Sequence, residues 1–316
     1  MRFLKGVLAA ALVLTMTACS SKEPTKEDPL KILVPQGAPA LALLPLYGQE
    51  NITVETVAGS DALLAALSKK DSEYDAVVAP INVGATLIEK EKTDYVLDSV
   101  VTWGNLYIVG TDESALSEEG MFAAFGEAAV PQKVLMSSMD MDTIKGEIKY
   151  FGSANEVSGT LLAKKANAGL LAEPAVTATI AKAKQQGIEL KVLKDLQKEY
   201  QQKNNTPSNG YPQAALFVKK GSEEKLSSAY DKMEEFANKT SLEDENAIVE
   251  AVQKATPEKL GIPNAEIAQK SWKRQNIRVV KAVDVKDDIN TFLKQFNINI
   301  TDDAYTKAYR HFANSS

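Results

Sequence analysis

One cysteine and one histidine serve all 316 residues. Cys19 lies near the start and His311 near the end, so the long middle contains neither. That middle has no thiol for a disulfide, a thiolate nucleophile or a cysteine zinc site. It also lacks the side chain most used as a general base and as a transition-metal ligand. The Gly-x-Ser-x-Gly elbow, the P-loop and the His-Glu-x-x-His helix are all missing. Ser222-Glu223-Glu224-Lys225 does spell Ser-x-x-Lys, but without companion motifs it reads as an N-cap followed by a charged first turn. These absences argue against an enzyme and predict neither a cofactor nor a metal site. His311 is expected exposed on the last helix.

An excess of positive charge is also lacking. The formal charge is −6, with both signs scattered along the chain, which leaves no basic footprint for nucleic acid. Apolar residues make up 44% of the chain, enough for packed domains.

What is present begins with a leader. Met1-Arg2-Phe3-Leu4-Lys5 is basic, residues 6–16 are almost wholly apolar, and Thr17-Ala18 place small residues before Cys19. That order is a secretory signal, and the run falls short of the roughly 20 apolar residues that span a bilayer. Met16-Thr17-Ala18-Cys19 resembles a bacterial lipobox, with Met where leucine is commoner. The resemblance implies an acylated Cys19 and a place on the outer face of the cell membrane; an ordinary secretion signal is the alternative. Ser20 to Pro29 is polar and charged, the composition of a tether. The expected division is residues 1–18 as signal peptide and 19–29 as lipid-anchored tether.

Strand and helix then alternate. Lys31 to Pro35, Ile52 to Ala58 and Tyr74 to Pro80 read as strands, each followed by a helical stretch, at the spacing of a parallel sheet. Pro39 and Pro45 confine the first helix to short pieces. The apolar stretch from Tyr95 to Gly110 is long for one strand and is expected to cross from one domain to another. Beyond it the pattern predicts a helix over 116–129, a strand at Val134-Leu135-Met136 and a helix over 143–150. A capping box at Ser153-Ala154-Asn155-Glu156 opens a helix through Lys165. Strands follow at Gly169 to Ala172 and Leu190 to Leu193, with a helix between them. Residues 203–210 are loop-like and Pro212 to Val218 is a strand. From Ser222 onward the pattern is essentially all helix, ending with a helix over 302–312. The fold class is thus α/β, with two domains, two crossing segments and a helical C-terminal part. Domain 1 is discontinuous, residues 30–104 and 214–316, and domain 2 is residues 105–213.

This order resembles the type II periplasmic-binding-protein family, in particular its nitrate-, sulfonate-, taurine- and thiamine-precursor-binding group. The resemblance is carried by Ile32 to Pro39, Ala58-Gly59-Ser60-Asp61, Tyr74 to Ala79, Ala168 to Ala175 and Asn276 to Val280. It implies a monomeric solute-binding component of an ABC importer, with a small-molecule solute between the domains and a membrane permease as partner. Carried over position by position, it nominates Gly37, Ala38 and Pro39 after the first strand, Gly59, Ser60 and Asp61 after the second, and Asn82 after the third. The crossings contribute Trp103, Asn105, Tyr211 and Gln213. The second domain contributes Ser153, Glu156, Ser158 and Glu173. Several of these have plainer duties: Ser60 and Ser153 as caps, Glu156 as the other half of its capping box, Glu173 as cap of the following helix, and both rings as core. None of the nominated loops carries Arg or Lys, while Asp61, Glu156 and Glu173 are acidic. The balance favours a neutral or cationic, heteroaromatic solute and leaves open an anion held by backbone N–H groups. The competing expectation is a surface lipoprotein that binds a macromolecule.

Overall fold

A computed structural model describes residues 29–306. The leader, Cys19, all but the last residue of the tether, His311 and the end of the last expected helix lie outside them.

The first three strands form as their apolar, β-branched runs dictate: β1 (Leu30–Pro35), β2 (Ile52–Val57) and β3 (Ala76–Pro80). Each runs into a helix: α1 (Ala38–Ala42), α2 (Asp61–Ser68) and α3 (Ile81–Glu89). Pro39 sits in the first turn of α1, and Pro45 is the second residue of a separate 3₁₀ turn over Leu44–Leu46. The long apolar stretch divides into β4 (Tyr95–Thr102) and β5 (Leu106–Gly110), and all of its residues from Tyr95 to Gly110 are buried.

Between β5 and the next strong strand the expected elements are out of phase with the real ones. A helix over 116–129 is replaced by β6 (Met121–Phe125), the expected strand at Val134 lies inside α4 (Val130–Ser138), and the expected helix over 143–150 is replaced by β7 (Glu147–Phe151). Gly120 and Gly126, both at positive φ, bracket β6, and Pro131 stands in the first turn of α4. These breakers, more than the alanines within β6, set the boundaries. Agreement then returns with α5 (Ala154–Leu162), β8 (Ala168–Ala172), α6 (Ala175–Gln185) and β9 (Lys191–Asp195). A further helix, α7 (Leu196–Asn204), ends in left-handed Asn205. The chain returns through β10 (Ala214–Lys219).

The C-terminal part is mostly helical: α8 (Glu223–Glu235), α9 (Ser241–Glu243), α10 (Glu245–Ala255), α11 (Pro257–Leu260), α12 (Ala265–Ser271) and α13 (Lys286–Lys294). The all-helix expectation misses one strand, β11 (Ile277–Lys281), whose β-branched run pairs with β4. Residues 302–304 form only a 3₁₀ turn, after which Tyr305 bridges to Leu97. Ser222 holds the N-cap position of α8 without a capping bond. Its hydroxyl donates to Asp75 Oδ1 at 3.0 Å, and Lys225 Nζ reaches Asp75 Oδ2 at 2.8 Å.

Two sheets result, in the orders β11-β4-β10-β3-β1-β2 and β7-β6-β8-β5-β9. Both are mixed: β10 lies antiparallel between β3 and β4, and β5 antiparallel between β8 and β9. One apolar cluster runs continuously from the first sheet through Trp103, Leu106 and Tyr211 into the second, and two further clusters fill the opposite faces. Gly84 in α3 shows how tight the first core is: a Cβ there would stand 2.1 Å from Cζ of Phe217, a fully buried ring on β10. Gly84→Ala gains helix propensity but overpacks, so a net loss of about 1–2 kcal/mol is expected in denaturant unfolding. Phe217→Leu in the same background should restore part of it.

Candidate functional site

Strand direction brings the nominated loops together. Strands β1, β2 and β3 are parallel, so Pro35, Val57 and Pro80 end at one edge of the first sheet. Register places Ala214 opposite Pro80 and Thr102, and Ile277 opposite Thr102, so the chain leaves and re-enters the first sheet at that same edge. In the second sheet β6, β7 and β8 are parallel, and Leu106 lies opposite Ala172. Its carboxyl edge therefore also meets the crossings. The two sheets turn their strand ends and helix starts to the same narrow strip, the arrangement in which α/β sheets hold ligands.

Along the first edge, Gly59, Ser60 and Asp61 form an exposed lip. Ser60 occupies the N-cap of α2, yet its hydroxyl makes no capping bond and is free for other work. Gly37 takes φ +94°, and its N–H donates to the Leu260 carbonyl at 2.8 Å. Pro39 has no N–H and Ala38 is buried, so this loop offers less backbone than the sequence suggests.

The floor is formed by the crossings. Gln213 donates its N–H to the Thr102 carbonyl and accepts from the N–H of Ile81, both at 3.0 Å. Asn105 Nδ2 donates to the Glu173 carbonyl at 2.9 Å, while the Glu173 N–H returns to the Asn105 carbonyl at 2.9 Å. The side-chain oxygens Asn82 Oδ1, Asn105 Oδ1 and Gln213 Oε1 are each buried with no hydrogen-bond partner in the chain.

Two nominated rings are not walls of this strip. Trp103 and Tyr211 are both 0% exposed. Trp103 donates through Nε1 to the Arg278 carbonyl at 3.2 Å, and the Arg278 guanidinium lies 4.6 Å from its ring centre. Tyr211 stacks on Phe292 at 5.3 Å, and burial pushes its phenol well above the ordinary value. Their apolar area is spent on the core that joins the two sheets.

In the second domain the plainer duties prevail. Ser153 Oγ accepts from the Glu156 N–H at 3.3 Å and donates to Glu156 Oε1 at 3.2 Å, capping α5. Ser158 meets the Thr179 hydroxyl at 2.7 Å, joining α5 to α6. Glu173 is committed on every side. Its carboxylate accepts from the Thr177 N–H at 3.0 Å, the Thr177 hydroxyl at 2.8 Å and Arg274 Nε at 2.5 Å. It therefore caps the first turn of α6 and carries an ion pair to a residue just ahead of β11, with its side chain fully buried.

No protein-family model matches the sequence, and no curated protein does. Solved structures do match over almost the whole chain. An ABC transporter protein from Parabacteroides distasonis is 22% identical, with 86% of this chain and 92% of that one covered and a TM-score of 0.70. The periplasmic aliphatic sulphonate-binding protein of Escherichia coli is 12% identical, covering 86% and 88%, with a TM-score of 0.57. The periplasmic nitrate-binding protein of Synechocystis PCC 6803 is 13% identical, covering 87% and 83%, with a TM-score of 0.53. The chain has the type II periplasmic-binding-protein fold.

Within this fold the sequence left several site residues unseen. Arg274 is the chief of them. Its guanidinium bonds both Glu173 and the Thr177 hydroxyl (2.7 Å from Nη2), and its carbonyl accepts from the Tyr107 hydroxyl at 2.8 Å. Gln197 grips the start of β5 with both ends of its amide, accepting from the Leu106 N–H at 2.9 Å and donating to the Leu106 carbonyl at 3.0 Å. Arg278, whose guanidinium pKa burial lowers, donates to the Asn209 carbonyl at 2.6 Å and so ties β11 to the returning loop. Each acts across dozens of residues, and no local pattern announces such a contact. The loop after β6, with Ala128 at φ +58° and its N–H held by Gln132 Oε1 at 2.7 Å, was hidden by the helix expected there.

Proposed function

We propose that this chain is the solute-binding lipoprotein of an ABC importer, holding a small organic solute between its two domains and handing it to a membrane permease. The observation that carries the reading is the pairing of the carboxyl edges of two sheets across one strip, with both chain crossings at its floor. The fold supports it, since the solved proteins that share it include binding proteins for a sulphonate and for nitrate.

Residues 30–104 with 214–316 form one body in this proposal, and residues 105–213 the other. The two crossings form a hinge about which the bodies close on the solute. Closure buries the solute from both sides and creates the surface the permease reads. Acylated Cys19 holds the protein at the outer face of the membrane, which raises its effective concentration at the permease. The protein works as a monomer, without metal or cofactor, and carries out no chemical step on its cargo. The acidic loops and the lack of Lys or Arg in them favour a neutral or cationic heteroaromatic solute.

A thermal-shift screen of the chain from Ser20 against heteroaromatic bases, amines, amino acids, short peptides, sulfonates and nitrate tests the reading. A bound solute at a hundredfold excess over Kd stabilises by about 2.7 kcal/mol, or about 5 °C for a protein of this size. One chemical class is expected to give that shift, with compaction on small-angle scattering. A panel without any shift would overturn solute capture and favour the macromolecular partner.

A further inference from the structure

The two sheets are joined differently on their two faces. On one face the joint is apolar and dry. Trp103, Leu106 and Tyr211 of the crossings, Tyr200 of α7 and Phe292 of α13 belong to a single buried cluster that runs from one sheet into the other. Tyr211 stacks on Phe292 at 5.3 Å, and Tyr200 meets Phe292 edge-on at 6.1 Å. Hydrogen bonds cross beside the rings. Gln295 Nε2 donates to the Tyr200 hydroxyl at 2.9 Å. Asp288, itself 2% exposed, accepts from the Ser208 N–H at 3.1 Å and from the Ser208 hydroxyl at 2.8 Å.

The opposite face has no such shared core. The apolar cluster that includes Ala268 and Trp272, in and just after α12, is separate from the one that includes Val176 and Ala183 of α6. Arg274 spans the interval between them. Its guanidinium holds Glu173, just past β8, and Thr177 in α6, while its carbonyl takes the hydroxyl of Tyr107 on β5. One residue ahead of β11 thus gathers bonds from three elements of the second sheet and its helices. The Arg274 side chain is 40% exposed, so water already reaches the guanidinium and takes over its donors when they let go. The two joints therefore resist separation unequally. Parting the rings forfeits the burial of their whole apolar area, whereas parting the Arg274 contacts exchanges one set of hydrogen bonds for another.

Resting on the solute-capture reading and its hinge, we propose that Arg274 is a releasable latch between the two bodies. The packed face of α7 and α13 stays together as the pivot. The Arg274 contacts part and re-form as the bodies move, so the two carboxyl edges separate on the face of α6 and α12. Arg274 is in this sense a positioning residue, acting on the solute through the spacing of the edges.

Distances between spin labels, measured by double electron–electron resonance without any solute, test the latch. Residues 20–316 contain no cysteine, so introduced pairs carry the only labels. Lys270→Cys on α12 with Ala181→Cys on α6 reports the latch face, and Lys294→Cys on α13 with Gln202→Cys on α7 reports the pivot face; all four positions are exposed. Arg274→Gln is expected to lengthen and broaden the α6–α12 distance by more than about 2 Å, the scale of a domain rearrangement, and to leave the α7–α13 distance in place. Thr177→Val combined with Tyr107→Phe removes bonds of the latch without stranding the Glu173 charge. That pair should move the same distance in the same direction, by less. An α6–α12 distance unmoved in both variants, each shown to be folded by circular dichroism, would overturn the latch. So would an equal lengthening on the two faces. Because no solute enters these measurements, a rigid result leaves solute capture to stand on the thermal-shift screen, and a silent screen leaves the motion of the latch to stand on the distances.

Discussion

Gly210→Ala is expected to lower stability by about 3 kcal/mol or more in denaturant unfolding, far beyond what adding a methyl group ordinarily does. Gly210 holds φ +91°, a region that strains any residue with a Cβ, and the added carbon would stand 2.0 Å from the carbonyl oxygen of Trp103. That oxygen is backbone and cannot swing aside as a side chain would. It also accepts from Asn276 Nδ2 at 2.7 Å and from the Tyr211 N–H at 3.3 Å, so moving it disturbs the bonds that hold the two crossings together. Gly37→Ala is the proper control. Its φ of +94° carries the same kind of strain, but a Cβ there meets nothing within 4 Å. If the two variants lose equal stability, close approach at Gly210 contributes nothing and strain alone explains both. If Gly210→Ala loses the larger amount, solute binding should weaken with it, because in the proposed function the crossings form the hinge.

Arg274→Ala is the second large effect. Removing the guanidinium leaves the fully buried Glu173 carboxylate with the two donors of Thr177 alone. Breaking a buried pair from one side costs about 3–5 kcal/mol; the Arg274 side chain is 40% exposed, which reduces the expected loss to about 2 kcal/mol. The loss should appear as a lower melting temperature at neutral pH. Arg274→Lys should recover only part of it, because one ammonium cannot reproduce the fork that meets Glu173 Oε1 and the Thr177 hydroxyl together. A fully rescued lysine variant would show that charge alone, not the bidentate geometry, matters at this contact.

The sequence made the α/β alternation readable wherever β-branched runs met helix starts, as at β1 to β3, β8 and β10. It misled between Leu116 and Tyr150. There, Met121-Phe122-Ala123-Ala124-Phe125 contains residues that favour helix by themselves, and only pairing with β7 and β8 makes them a strand. Glu147-Ile148-Lys149-Tyr150-Phe151 did carry a two-residue alternation, with Ile148 and Tyr150 turned inward, but the helix expected across it hid the pattern. At the site, the loops were legible because strand ends are marked by Gly, Pro and Ser. Their uses were not. The one local signal was the glutamate three residues after Ser153, which completes its capping box, where Ser60 is followed at that spacing by Leu63 and makes no capping bond. Arg274 was beyond reach for a different reason: its partner Glu173 lies 101 residues away in sequence.

The placement of β10 also constrains how the molecule is built. That strand sits between β3 and β4, yet it is separated from β4 by the entire second sheet. All five strands of the second sheet, from Leu106 to Asp195, precede β10 in the chain. A polypeptide emerging N-terminus first can therefore close its second sheet while β3 and β4 still wait with open edges. The half of the protein that begins first is obliged to finish last.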